Sequence, residues 1–271
     1  MSESTPAKTI SFETIEYSVA NQVAHIRLNR PDAANTLNLQ LAQDLHQAVL
    51  ACEEDSDVRA VLLSAEGKLF CAGGDLASFA EKGDAISEEL KKVTFYAHDA
   101  FIRLMRMPAP VVTAVNGAAA GIGLSLALIG DYTIASSKAS FTSAYTAAGL
   151  SPDGGCTSLL VELVGSKRAK ELMLLNRRLS ANEALDWGMI NRVVEPEELA
   201  AAALELATTF ANGPTLAYGA VKRLVSGAAK NNIEAQMTSE SRMIAANAKT
   251  KDGKEGIKAF LEKRKPHFSG R

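Results

Sequence analysis

The chain has 271 residues, 47% of them hydrophobic and 22% charged, with a formal net charge of -2. That is the balance of an ordinary globular protein with a sizeable core, and it offers no basic field for nucleic acid. Cys52, Cys71 and Cys156 are too few and too scattered for a disulfide framework or a metal site, no run of about 18 apolar residues offers a membrane span, and residues 1–12 read as a disordered polar amino terminus, so a cytoplasmic protein without a membrane partner is expected.

Residues 14–19 and 23–28 alternate or run apolar around a break at Ala20-Asn21-Gln22, which predicts a hairpin. Leu37, Leu41, Leu45, Ala48 and Cys52 recur at helical spacing and predict an amphipathic helix over 39–54. Residues 60–64 then read as a buried strand. A helix ending near Arg106 runs up to Pro108 and Pro110, and 111–115 is a short β-branched strand. Repeated strand, turn and helix imply largely parallel strands with helices outside. Ser180-Ala181-Asn182-Glu183 is a capping box for the helix that carries Trp187, and 190–194 reads as a last strand. Residues 195–264 are helical in pattern, broken at Asn212-Gly213-Pro214 and near Asn231-Asn232. The organisation predicted is an α/β core over 13–205 and a helical carboxy-terminal domain over 206–271.

Two glycine-rich turns carry the chemistry. Phe70-Cys71-Ala72-Gly73-Gly74-Asp75-Leu76 and Val115-Asn116-Gly117 through Gly121-Ile122-Gly123 each follow an apolar run, so each can aim bare backbone N–H groups at one point. Two donors converging on one oxygen make an oxyanion hole. Other readings of these glycines fail on spacing. The third glycine of G-x-G-x-x-G falls at Leu126, the second glycine of G-x-S-x-G is missing around Ser125, and no GxxxxGK[ST] exists. Asp153, in Ser151-Pro152-Asp153-Gly154-Gly155, reads locally either as a helix cap or as a catalytic carboxylate.

Taken together, several segments resemble the crotonase, or enoyl-CoA hydratase/isomerase, superfamily. They are Leu28-Asn29-Arg30-Pro31 with Asn35-Thr36-Leu37-Asn38, the two glycine turns, Gly149-Leu150-Ser151-Pro152-Asp153-Gly154-Gly155, residues 184–188, and Phe260-Leu261-Glu262-Lys263-Arg264. The resemblance implies an α/β spiral of repeated ββα units with a helical carboxy-terminal domain that builds a homotrimer or homohexamer. It implies an acyl-CoA thioester as substrate and no cofactor beyond the coenzyme A carried by that substrate. By the same resemblance the oxyanion donors are the amides of Gly74 and Ile122. The two carboxylates that hydratases use fall at Ser125 and Tyr145, neither of which is an acid.

Asp153 stands where the double-bond isomerases of the family hold their base. Its Gly-Leu-x-Pro-Asp-x-Gly form is most similar to the epoxide isomerases of phenylacetyl-CoA degradation and the Δ3,Δ2-enoyl-CoA isomerases. A second similarity, over residues 168–188, is to the 4-chlorobenzoyl-CoA dehalogenases, whose nucleophile and essential histidine fall at Asp153 and His98. This chain departs from them at Gly74, where they carry an aromatic residue, and at Tyr145, where they carry a tryptophan. Coenzyme contacts implied by the family are Arg30, Ala34, Ala72 and Asp75, with Phe260 and Lys263 reaching in from a neighbouring subunit. The expectation is an acyl-CoA isomerase. A hydratase, a dehalogenase-like hydrolase and a non-catalytic acyl-CoA binding protein are the alternatives.

Overall fold

The computed structural model of the protein describes residues 8–271. Its first strand, β1 (Lys8–Ser11), is exposed along its length and pairs antiparallel with β2 (Ile15–Ala20). Disorder expected over 1–12 is therefore corrected for 8–11, and residues 1–7 lie outside the described residues. Alternation along β2 buries Ile15, Tyr17 and Val19, and the chain reverses into β3 (Val23–Leu28) through Asn21 and Gln22, both at positive φ. Such a pair matches the twist of the flanking strands.

From here the strands of the large sheet run parallel. Asn38 caps α1 (Leu39–Glu54) by accepting the Leu41 N–H at 2.9 Å, and α1 carries the chain to β4 (Ala60–Ala65) beside β3. A short α2 (Leu76–Ala80) and the long α3 (Ile86–Arg106) lead to β5 (Val111–Val115), which adds to β4. The chain then passes β6 (Ala118–Ala120), α4 (Ile122–Leu128), β7 (Tyr132–Ser136) and β8 (Ser140–Thr142). Next come α5 (Cys156–Leu175), interrupted at Gly165, then β9 (Leu179–Ser180), α6 (Ala181–Asp186) and β10 (Arg192–Val194). Both halves of the Ser180–Glu183 capping box form, and Trp187 sits just past α6.

Among the described residues the strands make a seven-stranded sheet, β1-β2-β3-β4-β5-β7-β10, and a small three-stranded one, β6-β8-β9. Alternate strand and helix agree with the expected α/β class, while the small second sheet lay outside the expectation. Leu41, Leu45 and Val49 of α1 and Ala97, Phe101 and Leu104 of α3 cover one face of the large sheet in a single core. The other face is closed by α7 (Leu199–Ala211), whose Ala203, Ala207 and Ala211 pack on Val112, Ala114 and Ile134. The boundary expected near 205 thus cuts a helix that belongs to the sheet. Beyond it follow α8 (Thr215–Ala228), α9 (Ile233–Asn247) and α10 (Lys251–Leu261). No helix among the described residues is long and apolar enough to cross a membrane.

Two buried charges tie these helices back. Lys222 of α8 donates to the carbonyls of Leu104 at 3.0 Å and Ala109 at 3.1 Å, and pairs with Asp131 at 2.7 Å. Arg59, 5% exposed, donates to the carbonyls of Gly213 at 2.5 Å and Phe268 at 3.1 Å. Asp252 in turn accepts the amides of Ser269 at 2.6 Å and Gly270 at 2.8 Å, so the carboxy terminus is held at both ends of its last turn. Replacing Arg59 by Met keeps the stem and leaves both carbonyls unpaired. At roughly 1–3 kcal/mol for each buried unsatisfied group, Arg59→Met is expected to cost about 2–6 kcal/mol, read as a lower urea midpoint at fixed protein concentration.

Candidate active site

Strand pairing brings the two glycine turns together. Cys71 pairs with Ala119 of β6, its amide donating to Ala118 O at 3.1 Å and its carbonyl accepting from Ala120 at 2.9 Å. A Cβ on Gly123 would lie 2.2 Å from Cys71 O, so only glycine permits α4 to start this close. On the other side Leu37 donates to Gly73 O at 2.8 Å and accepts from Asp75 at 3.0 Å. These bonds use the amides on either side of the turns and bypass those of Gly74 and Ile122. Ile122 opens α4, where no intrahelical acceptor exists. Neither the Gly74 nor the Ile122 N–H has an acceptor among the described residues, and both residues line one cavity of about 280 Å3.

Asp153 lies on the wall of the same cavity, in the loop between β8 and α5. Three side chains hold it. The Tyr145 hydroxyl donates to Oδ1 at 2.6 Å, and the Ser125 hydroxyl donates to the Asp153 backbone carbonyl at 3.2 Å. His98 of α3 brings Nε2 to 3.4 Å from Oδ2 and to 3.0 Å from the amide of Gly154, which donates to it. Burial, with the Asp153 charge second, pushes the Tyr145 phenol far above its ordinary range, so it acts here as a hydrogen-bond donor and not as an acid. Burial also pushes the Cys156 thiol up to about 11, which leaves it an unreactive neighbour.

The residues expected at the site from sequence therefore divide. Gly74, Ile122, Asp153, Tyr145, Ser125 and His98 gather around one point. Ala72 is in the cavity wall, its amide donating to Ala34 O at 3.1 Å, which joins two of the expected coenzyme contacts. Arg30 is engaged within the protein: its guanidinium pairs with Asp75 at 3.1 Å and donates to the Thr36 carbonyl, so it braces the turn that carries Gly74. Phe260, 83% exposed, and Lys263 do not line the cavity of their own chain.

Most of the remaining wall is apolar, from Leu37, Leu76, Phe79, Leu90, Val93 and Leu150, with the hydroxyl residues Thr94 and Ser151 among them. The contact between His98 and the Asp153 loop was missed from sequence, although the i, i+4 spacing of Leu90, Thr94 and His98 sets all three along one side of α3.

The chain is similar to known proteins along nearly its whole length. The family model described as enoyl-CoA hydratase/isomerase matches residues 18–271. A 1,2-epoxyphenylacetyl-CoA isomerase of Escherichia coli is 38% identical over 96% of this chain and 99% of its own length. A trans-2-decenoyl-[acyl-carrier-protein] isomerase of Streptococcus mutans is 33% identical over 97% of this chain and 100% of its own. The crystal structure of an enoyl-CoA hydratase from Polaromonas superposes with a TM-score of 0.89 at 32% identity, covering 94% of this chain and 99% of that one.

Gly154 is where the loop is tightest. Its φ is +60°, and a Cβ there would come within 3.1 Å of both Ile122 Cγ1 and Ser125 Cβ. At about 1–3 kcal/mol for a strained left-handed residue, Gly154→Ala is expected to lower stability in denaturant melts. It should cost more than Gly149→Ala, whose φ of +69° is similar but whose Cβ would meet nothing within 4 Å.

Proposed function

Because the chain belongs to the enoyl-CoA hydratase/isomerase family, we propose that it is an enoyl-CoA isomerase that shifts a double bond along an acyl thioester through an enolate. The observation that carries this reading is a single carboxylate. Asp153 is the one acidic side chain in the cavity wall among the described residues. Where the family's hydratases set their two acids this chain has Ser125 and Tyr145, and both are hydrogen-bonded to Asp153.

Addition of water across a double bond needs one group to activate the water and another to protonate carbon. Moving a double bond needs only one base, since the proton is relocated. Asp153 as carboxylate takes a proton from C2 of a 3-enoyl thioester. The electron pair of that C–H bond forms C2=C1, and the thioester oxygen becomes an enolate oxyanion. That oxygen meets the amides of Gly74 and Ile122, and an oxyanion donor of this kind is worth about 100- to 1000-fold in rate. Asp153, now a carboxylic acid, returns the proton to C4 as the enolate collapses, leaving C2=C3 in the product. Atoms and charge balance with no cofactor beyond the coenzyme A of the substrate. The apolar wall from Leu37, Phe79, Leu90 and Val93 suits an acyl chain and keeps water from the enolate.

The assembly proposed is a homotrimer or a dimer of trimers. It is supported by Val221, Val225, Ile233, Met237, Ile244 and Phe260, apolar side chains left exposed along α8 to α10. Three buried, unpaired cysteines suit the cytoplasm, where thiols stay reduced.

In a panel of 3-enoyl, 2-enoyl and aryl CoA thioesters, wild type is expected to isomerise the 3-enoyl substrates and to hydrate none. Asp153→Asn should lose about 100- to 10,000-fold in kcat, as expected for removal of a general base, while still binding the thioester. Efficient hydration of crotonyl-CoA, or undiminished turnover by Asp153→Asn, would overturn the assignment. Incorporation of heavy oxygen from water into the protein in a single turnover would point to the dehalogenase-like alternative instead.

A further inference from the structure

We infer that His98 is a positioning residue that works as a neutral imidazole, its Nε2 lone pair fixed by the Gly154 amide, so that Oδ2 of Asp153 is the oxygen that carries the substrate's proton. This rests on Asp153 being the base. The argument starts from a backbone amide, which can only donate. With Gly154 N at 3.0 Å from His98 Nε2, that nitrogen is the acceptor, and the ring proton sits on Nδ1. An imidazolium at this position would set one N–H against another.

The consequence falls on the neighbouring carboxylate. Nε2 lies 3.4 Å from Oδ2 but has no proton to give it, so the contact is not the ion pair that its distance suggests. Oδ1 is already held by the Tyr145 hydroxyl at 2.6 Å. The two oxygens of Asp153 are therefore unequal: Oδ1 is anchored, and Oδ2 meets only the His98 Nε2, which in this tautomer has no proton to donate. His98 leaves Oδ2 open to the C2 proton while its bond to Gly154 holds the peptide that directly follows the base. Gly154 has no side chain of its own to anchor the loop at its φ of +60°, so the bond from its amide to His98 is what ties this peptide to α3. The Nε2 lone pair, being occupied, is also not free to act as a base toward substrate or water. This distinguishes the site from one in which His98 does chemistry itself.

The test combines a spectroscopic reading with a rescue. The full-length protein labelled with 15N at its four histidines, with His98 assigned by loss of its signals in His98→Gln, should show Nε2 as the unprotonated, pyridine-type nitrogen at pH 7.5. Gln offers a carbonyl oxygen that can accept the Gly154 N–H and cannot become a cation. His98→Gln is expected to keep kcat within about tenfold, whereas His98→Leu, which offers no acceptor, loses roughly 100-fold in kcat with KM changed far less, the scale of a misplaced catalytic group. A protonated Nε2 in wild type, or equal loss in the Gln and Leu variants, would overturn the inference. Failure of the isomerase reading shows instead as undiminished turnover by Asp153→Asn, and the nitrogen spectrum is independent of that result.

Discussion

At the centre of the molecule the carbonyl of Cys71 comes so near the first turn of α4 that a methyl group on Gly123 would lie 2.2 Å from it. That approach exists because Cys71 pairs with Ala119 as if it were one more strand of the small sheet, and β8 holds β6 from the other side. Within the turns the amides of Ala72 and Gly121 still reach backbone acceptors, the carbonyls of Ala34 and Thr142, while those of Gly74 and Ile122 do not. Gly74 and Ile122 are left without acceptors by the same pairing that fixes where they point. An unpaired buried donor ordinarily costs about 1–3 kcal/mol, and here two of them face one space. The large sheet, α1 and α3 supply the packed core against which this arrangement is kept rigid.

How much of this is legible in the sequence depends on what signals each element. α1 was expected over 39–54 and runs over those residues, because its apolar positions repeat at helical spacing. The first hairpin is legible for a similar reason, since β2 alternates and Asn21-Gln22 breaks it. β1 is not, because it is an edge strand on which every side chain is exposed, so no apolar alternation marks it. The small sheet escapes notice too. Its strands are three, three and two residues long, and the run Ala118–Ala120 looks like any flexible stretch. α7 is recognisable as a helix but not as part of the core, since alanines give no sign of which face they bury. At the site, Asp153, Tyr145 and Ser125 could be picked out by position. The bond from Gly154 to His98 could not, because it depends on where a loop carries a backbone amide relative to a helix 56 residues away in sequence.

Ser125 and Tyr145 do more than fill the places of missing acids. Ser125 is fully buried and its hydroxyl is spent on the Asp153 carbonyl, while the adjacent Gly154 is packed against the Ser125 Cβ. A longer acidic side chain at 125 has no room unless the 153–154 segment moves. Tyr145 reaches the carboxylate of the same aspartate, its phenol kept protonated by burial. The residues that replace two carboxylates are thus the residues that hold the third.

That exchange has a chemical meaning. Carboxylates sharing a small apolar site compete for protons, and their ionisation becomes a property of the group. A single carboxylate anchored through Oδ1 avoids this competition and keeps one open oxygen. In the isomerisation proposed, the proton that Asp153 removes is then the proton it holds when the enolate collapses. A second acid would offer another route for that proton, and a bound water beside it would offer addition in place of migration. Neutral donors at 125 and 145, together with an imidazole whose lone pair is already occupied, leave the proton on Asp153 with the substrate carbons as its nearest destination.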